Sequence, residues 1–305
     1  MLSLEIWMQL KDYMENTLLN IAGKLPQGLV ELYQLVDKAT RALAIPYLVV
    51  GATARDIVLV HGYNATIERG TRDVDFGIHV QTWAQFEQLK AVLLQLGFEE
   101  HKDKIHQLNM LDSSNMPWEI DIIPFGELAH SAIPNEKHKD IAWPPEHEIV
   151  MSVMGFEEAL QDALPVNISE HPQLKINVAS PPGMLILKLI SWFEREPDIR
   201  KKDAVDIVYL VKHYAKIPAI REALYEQNFM AKHQYDEFAA SAMKIASDAS
   251  QLASKDTLLF ITQHLWLNEQ RLDWLMLDIH RSEGISYEEA STLVNIIKLQ
   301  LIETN

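Results

Sequence analysis

The 305-residue chain contains no cysteine. This absence excludes thiol nucleophiles, disulfide frameworks, iron–sulfur clusters and zinc sites with cysteine ligands. It fits a reducing compartment, so we expect a cytoplasmic protein. Hydrophobic residues make up 48% and charged residues 23% of the chain, which is typical of globular proteins and excludes a disordered or low-complexity chain.

Positive charge and long apolar runs are also scarce. The chain has 27 Lys and Arg against 43 Asp and Glu, a formal net charge of −16. Nucleic-acid binding depends on Lys and Arg that neutralise phosphates, so the balance argues against an extensive nucleic-acid surface. No stretch approaches the ~20 uninterrupted apolar residues of a membrane-spanning helix, and we expect no membrane segment and no signal peptide.

The hydrophobic pattern divides the chain into three predicted regions. Residues 1–45 show helical periodicity, and residues 46–180 alternate strands with helices, which is typical of an α+β or α/β sheet domain. Residues 181–305 show only helical periodicity and are predicted to form a helical domain. Strands are predicted at 47–52, 71–80 and 117–126, with short strands near 149–155 and 174–179. Helices are predicted at 3–21, 28–44, 54–62, 81–97, 183–195, 201–213, 218–227, 232–253, 256–282 and 287–303.

Three aspartates lie on two of the predicted strands. Asp73 and Asp75 are two residues apart, so their side chains project from one face about 6.5–7 Å apart. Asp121 lies between two isoleucines, where an unpaired carboxylate is costly to bury. Taken singly, each aspartate also fits a solvated strand edge or a salt bridge, for Asp73 with Arg72. Together, three carboxylates on adjacent strands predict a site for a hard divalent cation, with Mg²⁺ as the default.

A glycine turn follows the predicted strand over 47–52 and opens a helix. Gly51 allows a ligand to approach the backbone closely, and the N–H groups at the helix N-terminus favour a phosphate. Thr53 adds a hydroxyl and Arg55 a guanidinium. An ordinary strand-to-helix turn, with Arg55 paired to Asp56 or Asp73, explains the same residues equally well. The turn is neither a Walker loop nor a GxGxxG motif, which excludes those two nucleotide-binding folds.

A second cluster lies in the helical region. Lys188 and Arg195 are seven residues apart and share one helical face. Lys188 is embedded in an apolar run, so its ammonium needs a route to solvent or an anionic partner. Lys202, Asp203 and Asp206 are spaced as neighbours on one face of the next helix. A solvated helix with ion pairs worth about 0.3–0.5 kcal/mol each is the alternative interpretation.

These residues resemble the nucleotidyltransferases of the polymerase-beta-like superfamily and, within it, the AbiEii/AbiGii toxin family, which includes the MenT toxins. The superfamily pattern is matched by the turn Gly51–Ala52–Thr53, by Asp73 and Asp75, and by Asp121. The toxin family's Lys-x6-Arg motif is matched by Lys188 and Arg195, and its Arg-x-Lys-Asp-x-x-Asp motif by Arg200, Lys202, Asp203 and Asp206. One departure is Ala52, where the superfamily turn usually has glycine or serine.

The resemblance implies a mixed-sheet nucleotidyltransferase domain, followed by a helical domain. It implies that the enzyme moves an NMP from an NTP to an acceptor hydroxyl and releases pyrophosphate. Asp73, Asp75 and Asp121 would hold two Mg²⁺ ions. The implied catalytic residues are Asp73, Asp75, Asp121, Lys188 and Asp203. The implied nucleotide-binding residues are Gly51, Ala52, Thr53, Arg55, Arg72, Arg195, Lys202 and Asp206.

The resemblance leaves the acceptor and the biological role open. A tRNA end is a target class of the family, and a toxin role with a cognate antitoxin protein is implied. The net charge of −16 keeps a protein or small-molecule acceptor as an alternative. A catalytically inactive nucleotide sensor is a second alternative, although a sensor has no need of the third carboxylate. An interaction protein built on the Leu- and Trp-rich helix around 258–277 is a third.

Overall fold

The computed structural model describes four stretches of the chain, residues 18–67, 73–130, 139–144 and 150–302. By its internal contacts the chain forms two compact units, Met1–Ser180 and Pro181–Asn305. None of the described helices is long and apolar enough to cross a membrane.

A mixed eight-stranded sheet organises the first unit. In chain order its strands are β1 (Leu19–Asn20), β2 (Tyr47–Val50), β3 (Asp73–His79), β4 (Glu99–Glu100), β5 (Gln107–Leu111), β6 (Pro117–Phe125), β9 (Leu164–Glu170) and β10 (Gln173–Val178). Their spatial order is β1-β9-β10-β2-β3-β6-β5-β4. The pairs β1/β9, β10/β2 and β3/β6 are parallel, and the other neighbours are antiparallel. The strands β7 (Asp140–Ala142) and β8 (Val150–Ser152) form a separate antiparallel pair.

Helices pack around the sheet of this unit. They are α1 (Gln27–Ala42), α2 (Gly51–Arg55), α3 (Trp83–Gln95), α4 (Glu127–His130) and α5 (Phe156–Gln161), and α2 continues as a π-helix over Asp56–Gly62. Buried apolar side chains recur along α1 at Leu29, Leu32, Tyr33 and Val36, which is the spacing of one helical face. The Thr82 side chain accepts a hydrogen bond from the Gln85 N–H and so defines the start of α3.

The second unit is helical throughout its described residues. Its helices are α6 (Pro181–Glu194), α7 (Pro197–Tyr214), α8 (Pro218–Glu226), α9 (Phe229–Lys232), α10 (Glu237–Leu252), α11 (Lys255–Ile261), α12 (Glu269–Glu283) and α13 (Tyr287–Ile302), with a π-helix over Thr262–Trp266. The side chains of Asp236, Ser254 and Asn268 accept backbone N–H groups and cap α10, α11 and α12. Proline at the first position of α7 and α8 is compatible with a helix start, because no N–H is needed there.

The α+β fold class with a mixed sheet and a helical C-terminal region is confirmed. The helix predicted over 3–21 is wrong at Leu19–Asn20, because these residues pair with β9 as a parallel edge strand; residues 1–17 lie outside the described part. The strands β4, β5 and β9 were not predicted. Tertiary pairing decides such short strands more than their own pattern does.

Two predicted helices in the second unit differ from the structure, one by an interruption and one by a later start. The helix predicted over 256–282 is divided by the π-helix and by a new start at Asn268, whose side chain accepts the Arg271 N–H. The helix predicted over 232–253 starts only at Glu237, because Gln234 and Tyr235 have positive φ angles that a helix does not admit.

Candidate active site

The parallel pair of β3 and β6 brings the three predicted aspartates to one face of the sheet. Asp75 is in direct register with Asp121, and Asp73 is in register with Glu119. Paired strands lie about 4.8 Å apart, and alternate residues point to opposite faces. The alternate residues Val74, Phe76, Ile78, Ile120 and Ile122 are buried in the core. The carboxylates therefore lie on the opposite face of these two strands.

The glycine turn lies directly against this acidic face. Val50, the last residue of β2, is in register with Asp75, so the next residue starts α2 beside that carboxylate. Gly51 has a φ of +73°, which favours glycine, and a Cβ atom at this position would overlap the Asp75 carboxylate. Both requirements explain why the turn needs glycine here. They also show that backbone and carboxylate approach each other closely.

The polar side chains of the turn bind protein groups in this structure. The Thr53 Oγ1 donates to the Asp73 carbonyl oxygen at 2.8 Å, which ties α2 to the start of β3. Arg55 is only 2% exposed, and its Nε and Nη2 donate to Asp56 Oδ1 at 2.9 and 2.8 Å. Of the two interpretations of Arg55, the structure shows the ion pair with Asp56. Arg72 lies outside the described residues.

Asp121 is held by a residue that the sequence did not single out. Gln107 of β5 is in register with Asp121, and its Nε2 donates to Asp121 Oδ1 at 3.0 Å. The preceding His106 is also close, and burial lowers its pKa despite the Asp121 charge. The sequence signal that could have indicated β5 lies in the turn between β5 and β6. There Asn115 has a φ of +59° and donates its N–H to the Asp112 carbonyl oxygen, which is typical of a turn between paired strands.

The acidic face carries the type of donor that a divalent cation requires. Within the four described stretches, no three His, Asp or Glu side chains lie close enough together to hold a metal ion as they stand. The register nevertheless aligns Asp75 with Asp121, and Asp73 projects from the same face. Carboxylate oxygens are the ligands that Mg²⁺ prefers. The residues therefore fit a hard cation by their chemistry and by their placement on adjacent strands.

The second motif cluster forms an ion-pair network within the helical unit. The Lys188 Nζ lies 2.9 Å from Asp203 Oδ1 and 2.7 Å from Asp206 Oδ2. The Arg195 Nη1 donates to Asp203 Oδ1 and Oδ2 at 3.0 and 2.9 Å. Both carboxylates are fully buried. The predicted need of Lys188 for an anionic partner is therefore met twice.

The charge state of Lys188 follows from these contacts. Burial by itself lowers the pKa of its ammonium, but the carboxylates of Asp206 and Asp203 outweigh this effect and raise the pKa above its usual value. Lys188 is therefore charged at neutral pH, and its charge is offset by the two aspartates.

The remaining residues of the second motif have different surroundings. Lys202 is exposed, whereas Asp203 is buried, so the two do not share one environment as their spacing predicted. The Arg200 Nε donates to Asp278 Oδ2 at 2.8 Å, and its guanidinium lies 4.7 and 5.1 Å from the ring centroids of Trp192 and Trp274. Arg200 therefore links α7 to α12 and serves packing, through an ion pair and cation–π contacts.

The comparison with protein families decides the relationship. The family model described as nucleotidyl transferase AbiEii toxin, type IV TA system, matches residues 34–276, well over half of the chain. The chain belongs to the AbiEii nucleotidyl transferase toxin family. The resemblance seen in the sequence is thereby confirmed, and this AbiEii-family chain is a nucleotidyltransferase.

Solved structures with similarity to this AbiEii-family chain are distant. The lincomycin-bound lincosamide antibiotic adenylyltransferase LnuA is 16% identical, with a TM-score of 0.34 over 59% of this chain and 94% of LnuA. The antibiotic-resistance factor ANT(2'')-Ia is 13% identical, with a TM-score of 0.34 over 69% of this chain and 98% of its own. The CCA-adding enzyme of Thermotoga maritima, complexed with tRNA, is 11% identical, with a TM-score of 0.25 over 93% and 83%. No curated protein matches the chain.

Proposed function

We propose that the acidic face of β3 and β6 transfers an NMP from an NTP to an acceptor hydroxyl and releases pyrophosphate. The observation that carries this proposal is the register of Asp75 with Asp121, together with the contact of Gly51 with Asp75. In the reaction, the acceptor oxygen forms a bond to the α-phosphorus. The bond from that phosphorus to the bridging oxygen breaks, and pyrophosphate takes the electron pair.

Asp73, Asp75 and Asp121 are the residues that would hold Mg²⁺. Two such ions, when bound, stabilise the attacking and leaving oxygens of an in-line displacement. Asp121 is also the proposed acceptor of the proton of the acceptor hydroxyl. The third carboxylate is what distinguishes this proposal from a nucleotide sensor, which needs only to bind.

The glycine turn is the proposed triphosphate cradle. The backbone N–H groups of Gly51 and Ala52 lie at the start of α2, where they favour phosphate oxygens. Thr53 and Arg55 hold this turn in place through their bonds to the Asp73 carbonyl and to Asp56. A direct contact of Thr53, Arg55 or Arg72 with the nucleotide stays a prediction.

The second part of the proposal concerns the helical cluster. Arg195, whose side chain is 46% exposed, and the exposed Lys202 have the solvent access that a phosphate ligand requires. That Lys188 also offsets the charge that develops on pyrophosphate stays a prediction, because its ammonium is already paired with two carboxylates in this structure. Asp203 and Asp206 hold its ammonium in position by ion pairs of 2.9 and 2.7 Å.

The proposed acceptor is the end of a tRNA, and the proposed role is that of a toxin controlled by a cognate antitoxin. The family membership supports the toxin role, because the matching family is described as a toxin of a type IV system. The tRNA acceptor stays a prediction that rests on the resemblance. The net charge of −16 favours the rival acceptors, a protein or a small molecule.

The test is transfer of label from each α-³²P-labelled NTP, with Mg²⁺, to an extract of total RNA and protein. The Asp73→Ala, Asp75→Ala double variant serves as the comparison. We expect the wild type alone to label an RNA band. Label on a protein band would establish the rival acceptor, and binding of NTP without transfer would replace the proposal with the sensor alternative.

A further inference from the structure

A buried amide lies beside the third aspartate of the acidic face. Gln107 is 3% exposed, and its Nε2 is 3.0 Å from Asp121 Oδ1 and 3.5 Å from Glu119 Oε2. Both partners are carboxylate oxygens, which only accept hydrogen bonds. The amide nitrogen must therefore face Asp121, and the amide cannot turn its oxygen there without repulsion.

The amide is retained at a cost in folding free energy. The Gln107 Oε1 is buried and has no hydrogen-bond partner among the described residues. A buried acceptor without a partner costs folding free energy, and the next residue of the strand, Leu108, is an ordinary buried apolar side chain. Departures of this kind from the rules of packing concentrate at functional sites.

An amide also differs from a cation in what it does to a carboxylate. In the helical unit, Asp203 is held by Lys188 and Arg195, which neutralise its charge. Gln107 orients Asp121 through a neutral N–H donor and leaves its negative charge for a cation. Groups that hydrogen-bond a metal ligand in this way set its orientation and affect metal affinity.

We propose that Gln107 is a positioning residue for nucleotidyl transfer, which fixes the Asp121 carboxylate by donating to Oδ1 so that Oδ2 is presented to the metal. This inference rests on the proposed function. It adds a residue of β5, outside every motif of the sequence, to the machinery on β3 and β6.

The test measures metal affinity directly, by titration of the purified full-length chain with Mn²⁺ followed by electron paramagnetic resonance. Gln107→Met keeps the length of the side chain and removes the donor. We expect its Mn²⁺ dissociation constant to rise about 10- to 100-fold, the usual effect of removing a hydrogen bond to a metal ligand. The matched control is Asn109→Met, on the same face of the same strand and in register with Glu119, with an unchanged constant.

A double-mutant cycle separates positioning from a general structural effect. If Gln107 acts through Asp121, Gln107→Met causes no further loss of Mn²⁺ affinity in an Asp121→Asn background. Additive losses in the cycle, or wild-type affinity in Gln107→Met, would overturn the inference. If Gln107→Met does not fold by circular dichroism, Gln107→Thr takes its place, because threonine is a good strand former that is too short to reach Asp121.

The outcome also distinguishes the inference from the proposed function. A wild type that binds Mn²⁺, an Asp121→Asn variant that binds it more weakly, and a Gln107→Met variant with wild-type affinity would refute the inference alone. A wild type that binds no Mn²⁺, with or without NTP, would overturn the proposed function and the inference together. Transfer assays with the same variants then separate kcat from KM. We expect kcat to fall in Gln107→Met and KM for the NTP to stay unchanged.

Discussion

The two acidic clusters of the molecule hold their carboxylates in different ways. In the helical unit, the buried Asp203 and Asp206 receive ion pairs from Lys188 and Arg195, so two cations meet two anions. On the sheet face, Asp121 receives an amide N–H. The first arrangement neutralises its carboxylates, and the second orients a carboxylate without neutralising it.

This difference separates what each cluster contributes. An electrostatically balanced network stabilises the fold, and removing one member leaves an uncompensated charge in the interior. Carboxylates that are gathered on one face repel each other, so each adds less to stability than a member of a balanced ion-pair network. We therefore expect substitutions in the helical cluster to lower stability, in addition to any effect on transfer, and substitutions on the sheet face to lower activity with a smaller effect on stability.

The largest expected loss of stability follows from Lys188→Met. The variant leaves two buried carboxylates without their shared cation, and it should lower the free energy of unfolding by about 3–5 kcal/mol. Urea unfolding followed by circular dichroism measures the change. The control is Arg195→Met, whose half-exposed side chain should cost about 1 kcal/mol or less. Equal losses in both variants would mean that the network is not organised around Lys188.

The next effect tests the contact between the turn and the acidic face. Gly51→Ala places a Cβ against the Asp75 carboxylate and forces alanine to a φ of +73°, which should cost about 1–2 kcal/mol and lower nucleotidyl transfer. Gly97→Ala is the matched control: its φ of +97° causes backbone strain, and nothing lies within 4 Å of its Cβ position. Gly97→Ala should lower the free energy of unfolding and leave the rate of nucleotidyl transfer unchanged. A normal rate of transfer in Gly51→Ala would show that the position of Asp75 is not critical.

The smallest effect is the pH dependence of the helical network. The pKa of Lys188 is raised in the folded chain, so its contribution to stability is complete below its unfolded pKa of about 10.4 and is lost as the pH rises through the folded pKa. The difference in unfolding free energy between the wild type and Lys188→Met should therefore shrink above about pH 10.5. A difference that stays constant from pH 8 to the most alkaline condition would contradict the ion pairs.

Alternation and motif spacing made much of the sheet face predictable. The apolar residues that alternate with Asp73 and Asp75 indicated β3, and the isoleucines on both sides of Asp121 indicated β6. A half-buried strand has apolar and polar residues in alternation, because successive side chains point to opposite faces. For Lys188, the apolar run predicted either a route to solvent or an anionic partner, and only the fold shows that Asp203 and Asp206 are its partners.

The parts that could not be predicted depend on tertiary pairing. Gln107 lies on a short strand that forms by pairing with β6, so the hydrophobic pattern around Gln107 does not predict its register with Asp121. Leu19 has helical periodicity around it and yet pairs with Val166 of β9. The ion pair of Arg55 with Asp56 required the fold, because the sequence left a phosphate ligand and a carboxylate partner equally open.

The most direct measurement of the central claim compares transfer from α-³²P-labelled NTP by the wild type and by Asp75→Asn, at equal concentrations of folded protein. Asp103→Asn, at an exposed loop position, removes the same charge as a control. We expect Asp75→Asn to lose at least about 10³-fold in rate, equal to about 4 kcal/mol of transition-state stabilisation, with its unfolding free energy within about 1 kcal/mol of the wild type. Transfer by Asp75→Asn within a few-fold of the wild type would contradict a catalytic role for the acidic face.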